Sequence, residues 1–513
     1  MSDITMDDML SKLQSVLATI DDEKKHQLES AINSISSQST QSSSSSEYDD
    51  KYFESYAQKY IDFTYENPTI FHVVDHFSRQ LKSKGFKFVA ETDSWENLAP
   101  GKYFTVRSGS SLAAFVVGPS WTPEKGVGVI GSHIDALTVY LKPNSTKEKI
   151  DGYDLLGVAN YGGTLSDVWW DRDLGIGGRL LIKDSNGAVK AQLVDSTPHP
   201  IGHIPTLAPH FGSPAVGPFN KETQAVPVVG FSSGEEAPAT DEEKSAPLYG
   251  KHSLKLLRYI AKLAKVKVSD ILQWDLQLFD VQKGTIGGLN KEFIFAPRVD
   301  DRVCSFAAIN ALLESKVQDD GFSIVGLFDN EEIGSNTRQG AKGGLIEQVV
   351  TRVLANEHFN PDGVDIQEVL RKAYANTIIL SADVIHLVNP NFTNVYLEHH
   401  KPVPNVGVTI SLDANGHMAT DGPGLALVEE LARINDDKLQ YFQIRNDSRS
   451  GGTIGPSIST STGARTIDLG IPQLSMHSIR ATLGSRDVGL GVKFFTGFFN
   501  NWRKTYNNFD GLT

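Results

Sequence analysis

FSIVGLFDNEEIGS, Phe322 to Ser335, is the stretch on which the reading of this chain turns. An apolar run rich in β-branched residues stops abruptly at Asp329. A short run of this kind, bounded by turn residues, predicts a buried strand. Glu331 and Glu332 follow at once, with no lysine or arginine beside them. Two adjacent carboxylates repel, and a bound cation offsets that repulsion. If Glu332 binds a metal, Glu331 is left free to take a proton from water.

Three more apolar strands end in the same kinds of side chain. GVGVIGSHIDA ends at His133 and Asp135, FIFAPRVDDR at Asp300 and Asp301, and NTIILSADVIH at Asp383 and His386. A fifth segment, LSMHSIR, supplies His477. In an open α/β sheet the functional crevice lies at the carboxyl ends of the strands, where distant residues converge. One catalytic zinc takes about three protein ligands, and two ions sharing a bridging carboxylate take about five. One residue per strand end plus His477 supplies that number. His133 and Asp135 are two apart and share a face. Asp135 can therefore hold the imidazole and fix which nitrogen faces a metal. Each acid alone also fits an ordinary strand end or helix cap; the recurrence at five places is what favours a site.

The 513 residues are enough for two domains or more. A 40% apolar, 21% charged composition is that of a globular protein. The net charge of −14, with no block of Lys or Arg, argues against a nucleic-acid surface. One cysteine, Cys304, excludes an internal disulfide and reads as a small buried residue on a helix face. No apolar run reaches the roughly 18 residues that span a bilayer, and no secretory signal opens the chain. Synthesis in the cytosol without membrane insertion is expected.

The texture changes along the chain. Met6, Met9, Leu10, Leu13, Val16, Leu17 and Ile20 make one apolar helical stripe, followed by the serine-rich SSQSTQSSSSSEYDD. An amphipathic helix on a slack tether suits self-association or partner binding, or docking on its own globular body. The main body starts near Tyr48 with two helices broken at Pro68. Residues 140–289 hold short strands, many prolines and one helix near Lys251–Lys265, before α/β alternation resumes after Phe293. The expected organisation is a 1–46 extension, an α/β domain over 47–139 and 290–513, and an insert at 140–289. RNDSRSGGTIGPS, around Gly452, either brings backbone N–H groups to a substrate or makes a tight turn.

The series GSHIDA, FAPRVDDR, DNEEIGS, SADVIH, SGGTIGP and QLSMHSIR resembles, in order, the M18 family of metalloaminopeptidases. The resemblance covers nearly everything from Tyr48 onward. It implies a three-layer αβα catalytic domain holding two Zn²⁺, with a β-rich dimerisation domain inserted. It also implies His133 and Asp383 on one zinc, Glu332 and His477 on the other, Asp300 bridging, Glu331 as general base and Asp135 orienting. His210, in IPTLAPHFG, matches a family histidine that enters a neighbouring subunit's active site. His386, Ser411 and Gly452 are the remaining expected substrate contacts. The family's aspartyl aminopeptidases carry a lysine where GVTISLD places Ser411. Losing that cation predicts preference for neutral or hydrophobic first residues such as Leu. Family members assemble as tetrahedral dodecamers built from dimers. In its fungal vacuolar members the N-terminal segment is a propeptide, recognised by a selective-autophagy receptor and cut off in the vacuole lumen. A deacylase of N-acyl amino acids uses the same two-metal kit and is the alternative, beside acidic-residue specificity and a non-enzymatic scaffold.

Overall fold

The computed structural model describes residues 48–231, 236–360 and 362–509. The stripe and tether expected over 1–46 lie outside the described residues. The break at Pro68 is present, between helices Asp50–Glu66 and Ile70–Ser83. The second helix buries Ile70, Val73, Val74, Phe77 and Leu81, the 3–4 spacing of one packed face.

A nine-stranded mixed sheet is the frame. Its order is Lys87–Phe88, Gly101–Arg107, Ser111–Val117, Phe322–Phe328, Gly128–His133, Ile378–Ala382, Arg465–Gly470, Thr409–Leu412 and Gln440–Gln443. The four strands from Phe322–Phe328 to Arg465–Gly470 are parallel. All six residues of Gly128–His133 are buried, as a strand covered on both faces requires. Two of its glycines record the covering. A Cβ on Gly128 would lie 2.3 Å from Trp502, on helix Asp487–Tyr506. A Cβ on Gly131 would meet Ile454 at 3.3 Å and Ile458 at 3.4 Å, on helix Ile454–Thr462. Residues three apart on a strand face opposite ways, so helices lie on both sides of the sheet. The architecture is α/β with three αβα layers.

The second sheet has six strands, all drawn from residues 138–280 and all antiparallel to their neighbours. It buries Trp169, Leu180 and Leu276 with Leu257 and Ile260 of helix Leu254–Ala264.

Register then sets the site. Phe328 pairs with His133, and the Ile134 N–H donates to the Phe328 carbonyl at 2.8 Å. Asp329, Asp135 and Asp383 therefore emerge from one edge of the parallel strands. Strand Phe293–Pro297 runs antiparallel to Arg480–Gly484, with Pro297 opposite Arg480. Asp300, three residues after Pro297, and His477, three before Arg480, leave that ladder at the same end.

Candidate metal centre

Asp300 stands at the meeting point. Its Oδ1 lies 3.2 Å from His133 Nε2 and its Oδ2 lies 3.7 Å from His477 Nε2. His133 Nε2 is also 3.5 Å from Asp383 Oδ1, and His477 Nε2 is 3.9 Å from Glu332 Oε2. Donors about 2.0–2.2 Å from a tetrahedral zinc lie roughly 3.3–3.6 Å apart. The two distances from His133, 3.2 and 3.5 Å, are close to that spacing, and the two from His477, 3.7 and 3.9 Å, are slightly wider. Asp300 offers one oxygen to each set, as a bridging carboxylate does.

A second grouping also meets a distance test. Ligand atoms of His133, Asp301 and Asp383 lie within 4.8 Å of one another, as do those of Asp300, Glu332 and His477. Asp301 is fully buried, and its Oδ2 accepts from Ser132 Oγ at 2.5 Å. Ser132 Oγ lies 2.7 Å from Ser305 Oγ, which donates to the His133 carbonyl at 2.7 Å. These bonds commit Asp301 Oδ2 to the scaffold and leave Oδ1 buried without a partner. Asp301 thus has one oxygen to offer, whereas Asp300 turns one to each histidine, and this favours Asp300 as the shared ligand.

The electrostatics call for cations. Among the described residues, the ion-pair partners of Asp300, Glu331, Glu332 and Asp383 are histidines, not lysine or arginine. In the protein alone, burial pushes the Glu331 carboxyl up to about 8, with Asp383, Asp135 and Asp300 adding and His133 opposing. Burial, then Asp300, hold Glu332 well above its ordinary range. Burial and Asp383 do the same to Asp301. Burial opposes charge on His133, but Asp383, Asp135 and Asp300 outweigh it and hold the ring well above its usual value. Glu332 Oε1 is buried with no hydrogen-bond partner. Crowded, desolvated carboxyls with an orphan oxygen are what a pair of dications relieves, so these residues fit two zinc ions.

Asp135 is held from four sides. His133 Nδ1 donates to its Oδ1 at 3.2 Å, and the Glu331 N–H donates to the same oxygen at 3.2 Å. Oδ2 accepts from Tyr161 Oη at 2.6 Å and from the Glu332 N–H at 3.2 Å. Burial works against its charge, but His133, Tyr161 and the Glu332 amide keep its carboxyl below the usual value. With Nδ1 turned to Asp135, His133 presents Nε2 to the cluster.

The other expected residues are placed differently. His386 is half-buried with its ring 5.2 Å from that of Phe442, and burial and His477 lower its pKa. His210 is exposed on the turn Pro209–Phe211, its ring 5.4 Å from that of Phe211. Among the described residues no hydrogen bond or ion pair joins His210 to the cluster. Ser411 is buried in strand Thr409–Leu412, and its carbonyl accepts from Thr420 Oγ1 at 2.9 Å. Gly452 is exposed, and a Cβ there would meet nothing within 4 Å. Crowding does not impose that glycine. The next residue, Thr453, caps helix Ile454–Thr462 and donates to Asp468 Oδ1 at 2.6 Å.

Tyr161 and Asn330 are the residues that sequence reading missed. Asn330 Nδ2 donates to Tyr161 Oη at 2.9 Å, and Asn330 Oδ1 accepts from Thr337 Oγ1 at 2.8 Å. Asn330 has φ 62°, the left-handed region in which asparagine is enriched. That was the one available signal, and it lay inside DNEE itself.

Fold and site together are those of a metallopeptidase. Residues 63–499 match the family described as aminopeptidase I zinc metalloprotease (M18), and the chain belongs to that family. It is 60% identical over 472 residues to vacuolar aminopeptidase 1 of Saccharomyces cerevisiae, spanning 90% of this chain and 91% of the relative. An aspartyl aminopeptidase of Aspergillus oryzae is 38% identical over 481 residues, spanning 88% and 96%. Among solved structures, the crystal structure of prApe1 matches with a TM-score of 0.86 at 60% identity, over 89% of this chain and 97% of that one. The S. cerevisiae mApe1 dodecamer matches at 0.80 and 56%, over 90% and 100%.

Proposed function

We propose that this M18 metalloaminopeptidase removes neutral or hydrophobic N-terminal residues, such as Leu, using two Zn²⁺ per subunit. The observation that carries the reading is Asp300, whose two oxygens reach His133 at 3.2 Å and His477 at 3.7 Å. His133 and Asp383 would hold one ion and Glu332 and His477 the other, with Asp300 shared between them. When bound, zinc polarises the scissile carbonyl and brings the pKa of water from about 15.7 toward about 7.

The chain's own residues do the rest. Glu331 takes the proton of the attacking water and later gives it to the leaving amine. Its Oε2, 3.9 Å from His133 Nε2, lies within the cluster where that water must sit. Asp135 keeps His133 in the tautomer that leaves Nε2 free. His210 of a neighbouring subunit stabilises the developing oxyanion, and His386, Ser411 and Gly452 contact the substrate. Ser411 in place of a lysine removes the cation that an acidic first residue needs. Identity to vacuolar aminopeptidase 1 exceeds that to the aspartyl enzyme, 60% against 38%.

Residues 140–289 form the dimerisation insert of a tetrahedral dodecamer; that mApe1 was solved as a dodecamer supports the size of the assembly. Residues 1–46 are a propeptide that a selective-autophagy receptor recognises, taking the chain from the cytoplasm to the vacuole lumen. Metal analysis coupled to assays on leucyl-p-nitroanilide, an aspartyl peptide and N-acetyl-leucine tests the chemistry. Two zinc per chain and fastest cleavage of the leucyl substrate are expected. Fastest turnover of N-acetyl-leucine means a deacylase, and of the aspartyl peptide an acidic-residue enzyme.

A further inference from the structure

Tyr161 belongs to the six-stranded sheet, yet its hydroxyl sits among the groups of the metal centre. It lies opposite Thr138 in an antiparallel pair of strands, and Thr138 is three residues beyond Asp135. That register carries the phenol back along the chain to Asp135 Oδ2, 2.6 Å away. The Tyr161 hydroxyl oxygen in turn accepts from Asn330 Nδ2 at 2.9 Å. Asn330 immediately precedes Glu331 and Glu332. One hydroxyl therefore joins the strand end that carries His133 to the turn that carries both glutamates.

We propose that Tyr161 is a positioning residue for the hydrolysis: its hydroxyl, supplied by the six-stranded sheet, locks Asp135 against His133 and against the Glu331–Glu332 turn. This rests on the two-zinc aminopeptidase reading. Asp135 has two oxygens and four donors, three of which are the groups to be positioned: His133 Nδ1 and the N–H groups of Glu331 and Glu332. Among the described residues, Tyr161 is the one donor of the four that comes from outside both segments, so it is the anchor of the arrangement. A bond to an ionised acceptor is short and strong compared with a neutral one, and 2.6 Å is the shortest of the four. Burial and Asp135 both hold the phenol well above its ordinary pKa, so it stays a donor throughout the working range. An inert core hydroxyl would need only one acceptor; this one also accepts, from the turn that bears the base. The ring is fixed independently, 5.4 Å and edge-on to Tyr140.

Tyr161→Phe removes the hydroxyl and keeps that ring. Loss of a group that orients a metal-bound histidine costs about 10- to 100-fold in metal affinity or activity. We expect kcat to fall by that factor with KM within about twofold. In competition with a graded zinc chelator, one of the two ions should leave about 10- to 100-fold more readily, a readout independent of turnover. Tyr140→Phe, a matched hydroxyl loss in the same sheet, should resemble the parent in both. Parent-like kcat and zinc retention in Tyr161→Phe overturn the proposal, as does an equal loss in Tyr140→Phe, which would assign the effect to packing. Should Tyr161→Phe fail to fold, Asn330→Gly decides: it suits φ 62° and removes the amide that holds the phenol. A fall of the same kind, smaller in size, is expected, and unchanged zinc retention and kcat contradict the inference. A parent protein with no zinc pair or no peptide hydrolysis would instead refute the functional reading beneath it.

Discussion

Glu331 and Glu332 sit side by side on one short 3₁₀ turn, yet they face different histidines. Glu331 Oε2 is 3.9 Å from His133 Nε2, and Glu332 Oε2 is 3.9 Å from His477 Nε2. The turn is entered at Asn330 and left at Gly334, both left-handed, and with three residues per 3₁₀ turn its successive side chains point about 120° apart. Neighbours in sequence can thus take separate roles, base and ligand. Glu331→Gln keeps the shape and removes the acceptor of a proton. Both zinc ions should be retained while kcat falls by at least about 10²-fold, the scale of a lost general base. Steady-state kinetics on a metal-analysed sample checks this; full activity with both ions present removes Glu331 from the role. His477 shows the cost of such placement. It has φ 63° without being glycine, a conformation that surrounding structure must hold in place.

At the scale of elements, the strand ends were legible in the sequence. A strand buried on both faces must be apolar throughout, so its first ionisable residue marks the edge of the sheet. FSIVGLF and GSH follow that rule, and His133, Asp135, Glu331 and Glu332 could be read from it. Tyr161 could not. Its role depends on pairing with Thr138, across strands whose ladder shifts register between Leu141 and Thr146. No local pattern reports such a shift. Asp487, at the start of helix Asp487–Tyr506, was equally hidden. Its Oδ1 accepts from the Asn405 N–H at 2.8 Å and its Oδ2 from the Gly484 N–H at 2.9 Å, tying three segments together. Burial pushes this carboxyl up to about 7, from 3.8 in the unfolded chain, against the pull of those two N–H groups. Between those values the folded state binds the extra proton, so the stability this group contributes is fully present below about pH 4 and is lost as pH rises through about 7. Asp487→Asn removes this dependence. The stability difference between variant and parent should then change by up to about 1.4 kcal/mol per pH unit across that window, in the variant's favour as pH rises. Denaturant midpoints measured at several pH values test it, and a difference that stays flat contradicts it.

At the scale of the whole molecule, the amphipathic stripe over Met6–Ile20 and the serine tether after it are dispensable for the chemistry on this account. Deleting residues 1–45 should leave peptidase activity intact and abolish clustering of the particles, followed by light scattering. A deletion variant that still clusters contradicts the tether argument. The body from Phe53 onward joins an αβα sandwich, whose strand ends hold the acids, to a sheet that reaches back with Tyr161 to hold Asp135. The proposed chemistry depends most on Asp300 serving two ions at once. Anomalous diffraction at the zinc absorption edge, from crystals of the purified protein, tests that directly. Two peaks are predicted, one bonded by His133 and Asp383 and one by Glu332 and His477, with an Asp300 oxygen on each. A single peak, or a pair bridged by Asp301 with Asp300 turned away, would contradict it.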